Sequence, residues 1–409
     1  MKKKLLAVFL TAALAVSMLG GCGSNGSDGT TAASNETNAE MDGGSDETNE
    51  TTSGGDSSGN ILIGMSASIS GPSPACGLNA QQGAELAVKE INEAGGVLGQ
   101  DLELYVVDDA WTQETAINGT NLICDQNVVA QIGPFLSSLV LAVEDIVADA
   151  GHAYLFGGTS PALTEQGNEW MFRVRVSDSV SAMVASNYLT ETLGCQKIGL
   201  FVNSNDFGVG GRTVAEEYLT ENGVDYVVEV HNSGDTDMTS QILNLINEGV
   251  DGVLVWTDDA EVVIAARQFH DLGLDVPIVG SAAVSTSQVN DLCEPEWLTN
   301  WYSVTDFTIT NPSEAVQNFT AAYQEAYDAD PEIYASTYYT SVYLIADAIE
   351  RAGSTDPAAV RDALAETSGF ESVFGTLSAD EKGELNYGAS ICQMVDGKPQ
   401  FIDYVNMAE

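Results

Sequence analysis

Hydroxyl side chains stand where a parallel sheet offers a place for an anion. Ser137 and Ser138 follow the apolar run Val128 to Ile132 and open a stretch of helical periodicity. Thr159 follows the run Ala153 to Phe156, in a loop ending with Ser160-Pro161, residue types that cap and start a helix. Ligands of open parallel sheets sit beyond the carboxyl ends of the strands, near helix N-termini. Backbone N–H groups and hydroxyls there suit a carboxylate, and the same groups also serve capping and turn formation. Asp258 and Asp259 follow the run Gly252 to Trp256 at the mouth of another helical stretch. One of them can carry charge into a cleft, or both can cap that helix and favour its dipole. Trp256 fits either an aromatic wall or core packing.

The parts needed to transform a solute are missing. No G-x-S-x-G string follows an apolar strand-like run, and the chain has no H-E-x-x-H pair or P-loop. His152, His231 and His270 lie in separate segments without a Ser or Cys partner. Gly208-Val209-Gly210-Gly211 lacks the spacing and the following acid of a dinucleotide loop. Asp206-Phe207-Gly208 has no accompanying kinase motif. Cys76, Cys124, Cys195, Cys293 and Cys392 are widely spaced, with no C-x-x-C or Cys/His pattern. Buried thiols are expected, one disulfide stays open, and no metal or cofactor is implied. The reading is a binder rather than an enzyme.

The elements that must position these residues alternate. Apolar strand-like runs begin at Ile61, Leu102, Val128 and Ala153, separated by helical stretches 80–94, 114–125 and 138–150. The alternation resumes after Arg173-Val174-Arg175. Strands are predicted over 198–202, 226–230, 252–256 and 277–279, with helices over 179–193, 210–221, 238–247 and 260–272. Helices at 313–327, 336–352 and 357–364 follow, then strand-like runs at 374–377, 390–394 and 401–405. Two βα series predict an α/β protein with two doubly wound parallel-sheet lobes.

The ends and the composition set the compartment. Lys2, Lys3 and Lys4 precede the apolar run Leu5 to Leu19, whose 15 residues are too few to span a membrane and fit an export signal. Leu19-Gly20-Gly21-Cys22 resembles the bacterial lipoprotein box, in which small residues admit the peptidase and the Cys22 thiol carries the lipid. Each buried CH₂ of such an anchor contributes about 0.8 kcal/mol. Residues 23–59 hold eight acids, no Lys or Arg, and Met41 as the only large apolar residue. Such a segment cannot bury enough surface to fold and is expected to be a disordered tether. The whole chain has 60 acids against 13 bases, which disfavours nucleic acid and anionic lipid as partners.

Ser70-Gly71-Pro72, Gly83-Ala84-Glu85-Leu86-Ala87, Ile91-Asn92-Glu93-Ala94-Gly95-Gly96-Val97-Leu98-Gly99 and Val107-Asp108-Asp109 occur in order. Downstream come Ser137-Ser138, Gly157-Gly158-Thr159-Ser160-Pro161, Phe374-Gly375-Thr376-Leu377 and Asp380-Glu381-Lys382-Gly383-Glu384-Leu385. Together they closely resemble the leucine/isoleucine/valine-type solute-binding proteins of ABC importers, which have the type I periplasmic-binding (Venus-flytrap) fold. The resemblance covers about 61–405. It implies three crossovers, near Val176-Ser177, Val304-Asp306 and Lys382-Asn386. Lobe one would then hold 60–176 plus 307–382, and lobe two 177–306 plus 383–409. It implies that Ser137, Gly157 and Thr159 hold an amino acid's α-carboxylate and part of its ammonium, and that Phe207 covers the ligand. Cys76 falls where an aromatic often lies over the ligand, and Tyr334 where another lobe-one side chain approaches it. Amino-acid-binding members place a carboxylate just after the strand matching Val276-Pro277-Ile278-Val279, to pair with the ammonium. This chain has Gly280-Ser281-Ala282-Ala283 there. A desolvated ammonium without a counter-charge is costly, so either the ligand has no α-ammonium or another acid, such as Asp258 or Asp259, replaces it. The implied protein is a monomeric, lipid-anchored binder of a branched-chain amino acid or a related carboxylate or amide. It would serve a permease pair powered by cytoplasmic ATPases. A sensory co-receptor of the same fold is the alternative.

Overall fold

Strand Ile61–Ala67 is buried almost throughout: Ile61, Ile63 and Met65 fill one face of the sheet, and burial of Gly64 and Ser66 shows that the opposite face is covered too. The computed structural model describes residues 59–407. The expected lipidation at Cys22 and nearly all of the expected tether, 23–58, lie outside the described residues. Among the described residues no helix is long and apolar enough to cross a membrane.

Six parallel strands form the first sheet, in the order Glu384–Asn386, Met171–Val176, Ala153–Phe156, Ala130–Ile132, Ile61–Ala67 and Leu102–Asp108. Helices Pro74–Glu93 and Ile333–Ala352 pack together on one face. Gly83 permits their close approach, because a Cβ there would collide with the Ala335 backbone. Helices Gln113–Cys124 and Ser137–Ala150 cover the other face, around Val140, Val143 and Val147.

The second sheet has seven strands. Asp225–His231, Lys197–Asn203, Gly252–Trp256, Ile278–Gly280 and Trp301–Thr305 are mutually parallel. Gly388–Val395 and Lys398–Asn406 add an antiparallel hairpin at its edge. Helices Asp178–Asn187 and Asp206–Glu221 lie on one side of this sheet, and Thr239–Glu248 and Asp259–Leu272 on the other.

The chain passes between the sheets three times. Strand Met171–Val176 ends in the first sheet and Asp178–Asn187 packs in the second lobe. Strand Trp301–Thr305 belongs to the second, while Phe307 packs in the first core. Strand Glu384–Asn386 pairs with Met171–Val176, so the last passage comes at Tyr387. The expected start of lobe two at 383 therefore shifts to 388, because the backbone of 384–386 completes the first sheet.

Two arginines of one strand join these passages. Arg175 pairs with Asp306, Nε to Oδ2 and Nη2 to Oδ1 both at 3.0 Å. Arg173 pairs with Glu384, Nε to Oε2 at 2.9 Å. All five cysteines in the described residues are free thiols, four of them buried and Cys124 half-buried.

Candidate functional site

Ser137 is the first residue of its helix, and its side chain does not cap that helix. Its Oγ instead accepts the backbone N–H groups of Thr159 and Ser160, each at 3.2 Å. Both hydroxyl lone pairs are then engaged, leaving the O–H proton as the group Ser137 can donate. Arg173 donates to the Gly158 and Ser160 carbonyls at 2.9 and 2.8 Å, and Arg175 to the Gly157 carbonyl at 3.3 Å. The loop 157–160 is thereby held from two sides.

Aromatic rings from both lobes close the space in front of this loop. Phe135 and Tyr334 of lobe one have centroids 4.4 Å apart, and Phe207 and Trp256 of lobe two 6.0 Å apart. The Arg175 guanidinium lies over Phe135, 4.8 Å from its centroid. Trp256 is buried against helix Asp206–Glu221, where Gly211 leaves room for the indole that any Cβ would fill. Asn205 caps that helix through the Gly208 N–H at 2.9 Å, and its amide donates to Asp258 at 2.7 Å. With the lobes closed, the free space left inside the cavity is small, about 50 Å³.

The acids of this cavity are buried. Asp258 occupies the N-cap position of helix Asp259–Leu272 but makes no side-chain cap bond. Its carboxylate turns toward Asn205 and Asn203 instead. Burial, with Glu261 and Asp259 beside it, pushes Asp258 up to about 7. Asp259 accepts the Tyr334 hydroxyl at 2.9 Å and the Cys76 thiol at 3.3 Å, and burial raises its pKa too. Burial pushes Asp178 up to about 6. Its Oδ1 accepts the Ser181 hydroxyl at 3.3 Å, while Oδ2 lacks a partner at full bonding geometry. The Thr159 hydroxyl and the Trp256 indole N–H reach Asp178 only loosely.

Ser137, Ser138, Gly157, Thr159, Phe207, Trp256, Asp258 and Tyr334 all line this one cavity. Cys76 does not. It packs in the lobe-one core, with its thiol against Asp259, and burial and that carboxylate keep it protonated. Phe135, Arg175, Asp178 and Asp306 line the cavity and were missed as site residues. Their one signal was position: the last three flank the expected crossovers.

Residues 60–398 match the family described as periplasmic binding protein. The chain belongs to that family. It is a solute-binding protein with the type I fold, not an enzyme, and its family works outside the cytoplasm. It is 29% identical over 335 residues to the Leu/Ile/Val-binding protein homolog 1 of Brucella suis, covering 81% of this chain and 89% of that one. It is 27% identical over 344 residues to a leucine-, isoleucine-, valine-, threonine- and alanine-binding protein of Pseudomonas aeruginosa, covering 80% and 87%. The structure of a branched-chain amino acid transporter substrate binding protein from Streptococcus pneumoniae, in complex with isoleucine, superposes with a TM-score of 0.78. That pair is 28% identical and covers 84% of this chain and 99% of the other. Within this family fold, Ala282 lines the cavity without offering a charge.

Proposed function

We propose that this periplasmic binding protein captures a small amino-acid-type solute between its lobes and presents it to the permease of an ABC importer. The observation that carries the reading is the Ser137 hydroxyl. Its lone pairs are taken by two N–H groups, so its proton faces a cavity closed by side chains of both lobes. Ser137 donates to the solute carboxylate, with Ser138, Gly157 and Thr159 around it. Phe207, Trp256 and Tyr334 enclose the rest, and an aspartate of the cavity pairs with the ammonium in place of the position held by Ala282. The names of the relatives support an amino-acid-type solute and an importer as partner. Acylated Cys22 would hold the protein at the outer face of the cell membrane.

A thermal-shift screen of amino acids, combined with small-angle scattering, tests this. A solute at 100 times its Kd stabilises by about 2.7 kcal/mol. At least one amino acid should raise the melting temperature and bind far more weakly to Ser137→Ala. No response to any amino acid would refute the reading, and so would a hit that Ser137→Ala leaves unchanged.

A further inference from the structure

The solute cavity carries more negative charge than a simple zwitterion requires. Four carboxylates line it, Asp178, Asp258, Asp259 and Asp306, against a single cation, Arg175. That cation is committed, because Arg175 holds Asp306 in a two-bond pair and stacks on Phe135. The other three carboxylates form two groups. Asp178 sits beside Thr159, at the end where Ser137 offers its proton, and its buried Oδ2 still lacks a full hydrogen-bond partner. A carboxylate there serves an α-ammonium, with Arg173 and Arg175 acting on it only from a distance.

That leaves Asp258 and Asp259 on lobe two. The charged groups acting on Asp258 are Asp259 and Glu261, both acids. Its bonding partners are the neutral amides of Asn205 and Asn203. Asp259 is satisfied by Tyr334 and Cys76, so Asp258 is the carboxylate with charge to spare. Trp256 and Phe207 stand beside it along the same wall, and aromatic faces favour cations. An aliphatic side chain would leave this acid buried and uncompensated, which is costly.

We propose that the solute carries a second cationic group, an ammonium or guanidinium on its side chain, which pairs with Asp258. The solute is then a basic amino acid rather than an aliphatic one. This rests on the reading that the cavity takes an amino-acid-type solute.

Calorimetric titration of the full chain with ornithine, lysine, arginine and leucine, at pH 8, decides the matter. At least one basic amino acid should bind ten-fold or more tightly than leucine. Asp258→Asn should weaken that probe at least ten-fold and leucine less than three-fold, while Asp258→Glu keeps the order of affinities. Leucine binding as tightly as the basic probes overturns the proposal and leaves the amino-acid reading standing. An equal loss of both probes in Asp258→Asn likewise overturns the proposal alone. If none of the four probes binds the wild-type protein, the proposal falls, and the amino-acid reading is decided by the wider thermal-shift screen. Should Asp258→Asn not fold, the order of wild-type affinities alone decides.

Discussion

Glu332 of lobe one meets Ser287 of lobe two across the cleft. The Ser287 backbone N–H and hydroxyl each donate to a separate oxygen of the Glu332 carboxylate, both at 2.6 Å. Ser287 begins helix Ser287–Leu292, so the acid also lies at the positive end of that helix. Tyr334 and Cys76 reach Asp259 in the same sense, from lobe one to lobe two. Closure is thus supported by bonds that need no solute.

Weakening that contact should open the clamp. Glu332→Gln removes one charge-assisted acceptor, and hydrogen bonds to charged groups contribute about 1.5–3 kcal/mol. Solute affinity is expected to fall about ten-fold, and the solute-free radius of gyration to rise. Titration together with small-angle scattering reads both, and an unchanged radius with unchanged affinity would remove Glu332 from the closing mechanism.

Ser137 holds the fold as well as lining the cavity. Ser137→Ala leaves the Thr159 and Ser160 N–H groups buried without their acceptor. An unmet buried donor costs about 1–3 kcal/mol, so the midpoint of urea unfolding should fall in the solute-free protein. An unchanged midpoint would show that this loop finds another acceptor.

Asp306→Ala should be among the most damaging changes at the crossovers. It strands the Arg175 guanidinium in a buried site, and breaking such a pair by removing one partner costs about 3–5 kcal/mol. Arg175→Met combined with Asp306→Leu should recover part of that loss in thermal melts. A double variant no better than Asp306→Ala would show that the pair does more than neutralise itself.

Asp258 and Glu332 are pushed up to about 7 and Asp178 to about 6, each chiefly by burial. Asp259 and Glu261 add to the effect at Asp258, and Asp259 and Asp291 at Glu332. Unfolded carboxyls titrate near about 4, so the closed, solute-free fold binds extra protons. Its stability is fully present below about pH 4 from these groups and is lost as pH rises through 6 to 7. The solute-free melting temperature should therefore rise on acidification from pH 8 to 5.5. The affinity for a basic amino acid should fall over the same range as Asp258 takes up its proton. Calorimetric melts and titrations at four pH values test both signs, and a melting temperature that falls on acidification contradicts the first.

Cys22→Ser removes the thiol that an acyl chain requires. The protein is expected to leave the membrane fraction and appear in the soluble extracytoplasmic fraction. Retention on the membrane would exclude this anchor.

Local pattern carried much of the fold. Ile61, Ile63 and Met65 mark a buried strand because β periodicity and apolar type coincide within a few residues. Ser137 and Thr159 could be placed because strand ends and helix starts obey a local rule. Strand Met171–Val176 was harder to see, since Arg173 and Arg175 interrupt its apolar run. They are buried only because Glu384 and Asp306 meet them from far along the chain. Strand Glu384–Asn386 has three residues and no periodicity to detect, and pairing with Met171–Val176 alone makes it a strand.

By itself the sequence determined the α/β alternation, the family likeness and the hydroxyls at the strand ends. All of these depend on residue type and short spacing. Only the tertiary structure decided what the acids do. Asp258 stands at an N-cap position, where its residue type fits either capping or a cleft, and the fold turns it toward Asn205 and the cavity. Asp178 entered the cavity through the first crossover, and Cys76 left it for the core. Burial and the distance between charges set the state of a carboxyl, and both depend on chain segments distant in sequence.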